Sequence, residues 1–152
     1  MTIHIRSQRF ARAAFEHVVN RQGLGAKKSD YLSFTRSFPS LIHTSGLAQA
    51  VAFALAKGTK QIEKRLVIED LCSILHETGT VRLPAGVVAD GAALAEVSRT
   101  ERDCSEYMRM TKQSLQAASW LKRYAEALLV DQTSDRATGQ QFVGREEGSA
   151  ND

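Results

Sequence analysis

Apolar residues recur along most of this chain at intervals of three and four, the period of an α-helix with one face against a core. From Arg6 to Arg21, Phe10, Ala14 and Val18 mark one side while Arg6, Arg9 and Arg12 mark the other, which predicts an amphipathic helix. Gly23-Leu24-Gly25 should end it, Gly23 serving as the left-handed terminator and the pair giving a flexible connection. A second helix is expected from Lys28 to Phe38, with Ser29 or Asp30 near its cap, Tyr31, Phe34 and Phe38 inward, and Pro39 closing it.

Pro39-Ser40 is then expected to open a third helix reaching Lys57. Leu41, Ile42, Leu47, Ala48, Val51, Phe53 and Leu55 nearly encircle it, the pattern of the central, most buried helix. Gly46 costs about 1 kcal/mol there relative to alanine, so close approach of another backbone is the expected reason for it. A fourth helix from Thr59 to Glu77 would turn Ile62, Leu66, Leu71 and Leu75 inward, and Thr78-Gly79 would stop it. The segment from Val81 to Gly91, broken by Pro84 and Gly86, is predicted to be a loop. A helix from about Ala92 to Ser98 follows, then a long one from about Glu101 to Val130 with Tyr107, Thr111, Leu115, Ala118, Leu121, Ala125 and Leu128 or Leu129 along its stripe. Beyond residue 130 only Phe142 and Val143 pair as apolar neighbours, too little to offset ordering entropy, so residues 131–152 are expected to be a disordered tail. The fold class is therefore all-α: one domain over residues 1–130, a bundle of five to six helices.

Composition agrees with that picture. A chain of 152 residues with 43% apolar and 24% charged residues supports a single core and excludes disorder along its whole length. Two prolines, ten glycines and almost no alternating apolar runs argue against a barrel or sandwich. No apolar run approaches the roughly 20 residues a bilayer crossing needs, and the start has no signal-peptide pattern, so a cytoplasmic location is expected. Cys72 and Cys104, far apart and without a partner motif, are expected to be buried or inert thiols rather than metal ligands.

Charge changes the picture more. Residues 1–65 carry eleven Lys and Arg against three acids, a balance of +8; residues 66–152 carry nine against fourteen, a balance of −5; the sum is the net +3 of the chain. A cationic front and an anionic back fit either a polyanionic ligand or head-to-tail pairing of copies. Lys57, Lys60 and Lys64, spaced i, i+3, i+7, would form a basic ridge if the helix persisted across Gly58, with Arg65 alongside. Arginine outnumbers lysine thirteen to seven, and its planar fork suits phosphate. Arg9, Arg12, Arg36, Lys57, Lys60, Lys64, Lys122 and Arg123 are the candidate phosphate contacts, gathered by folding into one continuous strip and acting without sequence selectivity.

Catalytic motifs are not supported. Gly23-Leu24-Gly25 lacks the third glycine and the strand of a dinucleotide loop, and Lys57-Gly58-Thr59 lacks the upstream glycine of a phosphate-binding loop. His76-Glu77 has Thr80 where a zinc-binding helix needs its second histidine. His4, His17, His43 and His76 lie in four separate segments, and His43 is expected to be a hydrogen-bonded core or interface histidine. No cofactor or metal is expected, and no enzymatic activity. Two other readings stay open: a scaffold that self-associates through its opposite charges without binding RNA, and, less favoured, a small ribonuclease using His43.

Three stretches resemble a known family. The run Tyr31 to Lys57 contains Pro39-Ser40-Leu41-Ile42 followed by Gly46-Leu47-Ala48-Gln49 and an aliphatic helix ending in lysine; Trp120-Leu121-Lys122-Arg123 lies in the last helix; Arg6-Ser7-Gln8-Arg9-Phe10-Ala11 opens the first. They resemble, in order, the small all-helical subunit of the type III-B CRISPR effector, the Cmr complex. The resemblance implies a non-catalytic subunit in antiviral defence that assembles with other Cmr subunits and with its own copies, its basic face lining a channel for guide or target RNA. It also implies structural or interface roles for Pro39, Gly46, Gln49 and Trp120, with Gln49 a buried or interface hydrogen-bond partner.

Overall fold

The computed structural model describes residues 5–130, and the expected tail at 131–152 lies outside them. The described chain is all-α, six helices forming one bundle: α1 (Arg6–Arg21), α2 (Lys28–Ser45), α3 (Leu47–Gly58), α4 (Ile62–Glu77), α5 (Gly91–Thr100) and α6 (Cys104–Leu128). A 3₁₀ segment, Gln22–Lys27, joins α1 to α2 in place of the expected flexible connection. The glycine in the left-handed region there is Gly25, with φ of 62°, and not Gly23.

Pro39 does not end α2. The helix runs through it to Ser45, because Tyr31, Phe34, Phe38 and Ile42 form one buried stripe that spans the proline and outweighs the single backbone hydrogen bond it removes. The break falls instead at Gly46, whose φ of 81° and ψ of 164° separate α2 from α3. Gly46 is thus required by its backbone conformation and not by a neighbouring backbone; a Cβ there would meet only the Tyr107 hydroxyl, at an ordinary 3.4 Å. That hydroxyl, carried on α6, accepts the Ala48 N–H at 3.1 Å and so supplies a partner for an otherwise orphaned donor in the first turn of α3.

The central helix is α4, not α3. It touches each of the other five α-helices, and Val67, Ile68, Leu71, Cys72, Ile74 and Leu75 are all fully buried on it. Each leucine or isoleucine so buried contributes about 1.5–3 kcal/mol of transfer free energy. Leu71 and Leu75 point inward as expected, whereas Leu66 is half-buried and Ile62 is 43% exposed. The α3 sequence looks apolar on every side because alanine counts as apolar; Ala52 and Ala56 in fact face outward, and Phe53 is 42% exposed. Small residues also set the fit of α1 and α2 against α6, where Ala13 and Ala14 on α1 and Ala117 and Ala118 on α6 are buried.

Residues 78–90 form a loop, as its proline and glycines indicate. Asp90 then caps α5 by accepting the Ala93 N–H at 2.9 Å, and Asp103 caps α6 by accepting that of Glu106 at 3.2 Å. Tyr107→Phe is expected to lower the unfolding free energy by about 1 kcal/mol, measured by urea denaturation, since it removes the partner of the Ala48 N–H while keeping the ring.

Candidate nucleic-acid interface

The candidate phosphate contacts lie on α1, α2, α3, α4, α6 and the turn between α3 and α4, and two groups of them stand at opposite ends of α4. Arg9 and Arg12, both exposed on α1, line an open groove with Glu77 and Thr78 at the C-terminal end of α4. Lys57, Lys60 and Lys64 lie around the other end of the same helix. Lys64 and Glu77 are thirteen positions apart on α4, about 20 Å at 1.5 Å per residue.

Within the second group, helix periodicity is not what brings the lysines together. The chain leaves α3 after Gly58 and re-enters helix only at Ile62, with the Lys60 and Gln61 N–H groups both donating to the Lys57 carbonyl. Gly58 lets α4 fold back tightly, since a Cβ there would stand 2.8 Å from the Arg65 Cβ. Phe53 then does the gathering: the Lys57 and Lys64 ammonium groups each sit 5.9 Å from its ring centre, and Lys64 is also 5.4 Å from that of Phe34. Lys60 is exposed in the turn between the helices.

The remaining candidates lie on α2 and α6. Arg36 donates to Glu126 at 3.2 Å, tying α2 to α6. Lys122 is half-buried, and the exposed Arg123 lies 5.1 Å over the Trp120 ring. Trp120 itself is half-buried and packed against the core, stacked on Tyr124 at 5.7 Å, while Tyr124 meets Phe15 edge to face at 5.4 Å. Gln49 is exposed, so it is no buried hydrogen-bond partner. His43 is exposed too and not a core histidine. Cys104 is exposed, whereas burial pushes the Cys72 thiol up to about 12.

The strongest electrostatic feature lies outside all the sequence candidates. Asp70, 2% exposed in the middle of α4, accepts the Tyr31 hydroxyl at 2.5 Å and a two-pronged contact from Arg21, Nε at 2.9 Å and Nη2 at 2.6 Å. The Nδ1 of His17 lies 3.5 Å from the same carboxylate, and its Nε2 lies 3.1 Å from Glu77. Burial alone would raise the Asp70 pKa, but contacts from His17, Arg21 and Tyr31 outweigh it and hold the carboxyl below its usual value. His17 is raised, first by Asp70, against the opposing effect of its own burial. Burial, reinforced by the neighbouring carboxylate, pushes the Tyr31 phenol far up. No spacing rule pairs residues 17, 21, 31 and 70. The one local signal is that Arg21 and His17 stand four apart on the same face of α1.

Among the described residues, no group of three or more His, Cys, Asp or Glu could hold a metal ion, and no helix is long and apolar enough to cross a membrane.

Known proteins share this fold and parts of its sequence. The family described as CRISPR-associated protein (Cas_Cmr5) matches residues 6–128. The CRISPR system Cmr subunit Cmr5 of Thermus thermophilus is 34% identical over 124 residues, covering 82% of this chain and 96% of that protein. The crystal structure of a CRISPR-associated Cmr5 family protein from the same organism superposes with a TM-score of 0.68 at 30% identity, covering 82% of this chain and 98% of that one.

Raised and lowered pKa values fix how stability depends on pH. The His17 contribution is complete below the ordinary histidine value of 6.5 and is lost as pH rises through its elevated pKa; that of Asp70 is complete above the ordinary carboxylate value and lost as pH falls through its depressed one. Urea denaturation between about pH 5.5 and about pH 8.5 should show stability falling on the alkaline side, with the fall flattened in His17→Gln. Asp70→Asn should cost about 3 kcal/mol at neutral pH, because it leaves Arg21 half-buried without its counterion.

Proposed function

This chain belongs to the Cas_Cmr5 family of CRISPR-associated proteins, and from that membership we propose that it is a small, non-catalytic subunit of a type III-B (Cmr) effector complex in the cytoplasm. In this reading it assembles with the other Cmr subunits and with its own copies, and contributes cationic side chains to the channel holding guide or target RNA in antiviral defence. The observation that carries the reading is the set of basic side chains left without carboxylate partners. Arg9 and Lys60 are exposed with no ion pair among the described residues, while Lys57 and Lys64 rest on aromatic faces, which leaves their charge available to phosphate. The separation of the two groups, about 20 Å along α4, suits an extended single strand that touches them in turn.

Neutralising the ridge tests the proposal. Binding of single-stranded RNA should weaken with salt at a log-log slope near −3 if about four phosphates are contacted, at about 0.7 per contact. The triple change Lys57→Gln, Lys60→Gln, Lys64→Gln should bring that slope to about −1. If the same variant instead broke up oligomers and left RNA affinity and its salt slope intact, the charge would serve self-association alone, the second reading that the +8 and −5 halves permit.

A further inference from the structure

Where the first and last helices lie side by side, an aromatic strip meets solvent. α1 and α6 run in the same direction: Arg6 and Lys112 line one cavity, Phe15 meets Tyr124, and the Gln22 amide donates to the Leu128 carbonyl at 3.5 Å. Phe15 and Val19, one turn apart on α1, are 45% and 38% exposed. Beside them Tyr124 and Trp120, also one turn apart, are half-buried and stacked, and the Arg123 guanidinium lies over the indole. Arg123 has no carboxylate partner among the described residues. Arg12, one turn before Phe15, pairs with the exposed Glu16 at 3.7 Å, a contact worth little in water. The strip is thus apolar near the end of α6 and cationic a turn or two further back.

The chain itself supplies a segment with the complementary order. Residues 131–152 lie beyond the family match, which ends at residue 128, and carry five acids against two arginines, a balance of −3. Their one adjacent apolar pair is Phe142-Val143, and Glu146-Glu147 follows it four positions later. Reach favours contact within one chain. Phe142 stands twelve positions beyond Val130, and a polar coil of that length spans about 17–21 Å. Tyr124 and Trp120 lie about 6 Å and about 12 Å along the helix from Leu128, where α6 ends. A connection slightly longer than its span gives an effective concentration of about 1 mM or more, which a short apolar contact needs and a free partner in solution does not provide. Running back along the strip, the segment meets the apolar side chains with its apolar pair and then the arginines with its two glutamates. We propose that residues 142–147 dock on this strip of their own chain, Phe142 and Val143 against Phe15, Val19 and Tyr124, and Glu146 and Glu147 against Arg12 and Arg123. The docked segment then covers two of the arginines proposed for phosphate; this consequence rests on the RNA reading, and the docking does not.

Trp120, the single tryptophan of the chain, reports on the strip. In the full chain, Phe142→Ser should raise acrylamide quenching of its fluorescence about twofold and move the amide resonances of residues 12–19 and 120–128, leaving the rest of the spectrum in place. A peptide of residues 139–149 should reverse both changes at about 1 mM, and the same peptide carrying Phe142→Ser should not. Glu146→Lys with Glu147→Lys should give a smaller release, which about 0.5 M salt reproduces in the unaltered chain. Single-stranded RNA should bind Phe142→Ser about threefold more tightly than the unaltered chain. The docking is overturned if Phe142→Ser leaves Trp120 and both sets of resonances unchanged, or if the response depends on protein concentration between about 10 and about 500 µM, which assigns the strip to a second copy. Docking with RNA affinity unaltered by Phe142→Ser overturns the covering of Arg12 and Arg123. A chain whose Trp120 responds as expected but that binds no RNA retains the docking and defeats the RNA reading; one that binds RNA with the expected salt slope and ignores Phe142→Ser in every readout does the reverse.

Discussion

Asp70 is the constraint around which the bundle is arranged. Its carboxylate is held inside the protein by three side chains from two other helices, His17 and Arg21 of α1 and Tyr31 of α2, so α1, α2 and α4 share one charged hub. Leucine and isoleucine contacts would tolerate small slides between these helices, because dispersion and burial have little directionality. A carboxylate that accepts two-pronged contact from a guanidinium and a short bond from a phenol does not tolerate them. Apolar burial supplies most of the free energy, and Asp70 fixes the register in which it is realised.

Much of the helical plan is legible in the sequence. The periodicity of Phe10, Ala14 and Val18, the loop at 78–90 and the long last helix all follow from local pattern, and the structure has them. The departures share a cause: a local rule meets a tertiary contact that overrules it. Proline ordinarily ends a helix, yet Phe38 and Ile42 on either side of Pro39 are buried on the same stripe. Alanine makes α3 look central, while α4, whose polar Glu69 and Asp70 interrupt the apolar pattern, holds that place. The hub itself has no sequence signature, because its four residues are spread over three helices and no motif ties their spacing together.

Composition identifies the cationic residues but not their grouping. A count of +8 says nothing about which side chains meet, and folding places Arg9 and Arg12 at one end of α4 and Lys57, Lys60 and Lys64 at the other.

The bond from Ala48 to Tyr107 spans 59 residues of sequence, and α1 packs extensively against α6, the first helix against the last. A nascent polypeptide leaving the ribosome therefore carries α3 with an unmet donor and α1 with an uncovered flank until the final helix has emerged. Docking of α1 and completion of the first turn of α3 thus both wait on α6, and prematurely terminated products lacking that helix expose the apolar face of α1 to chaperones and proteases.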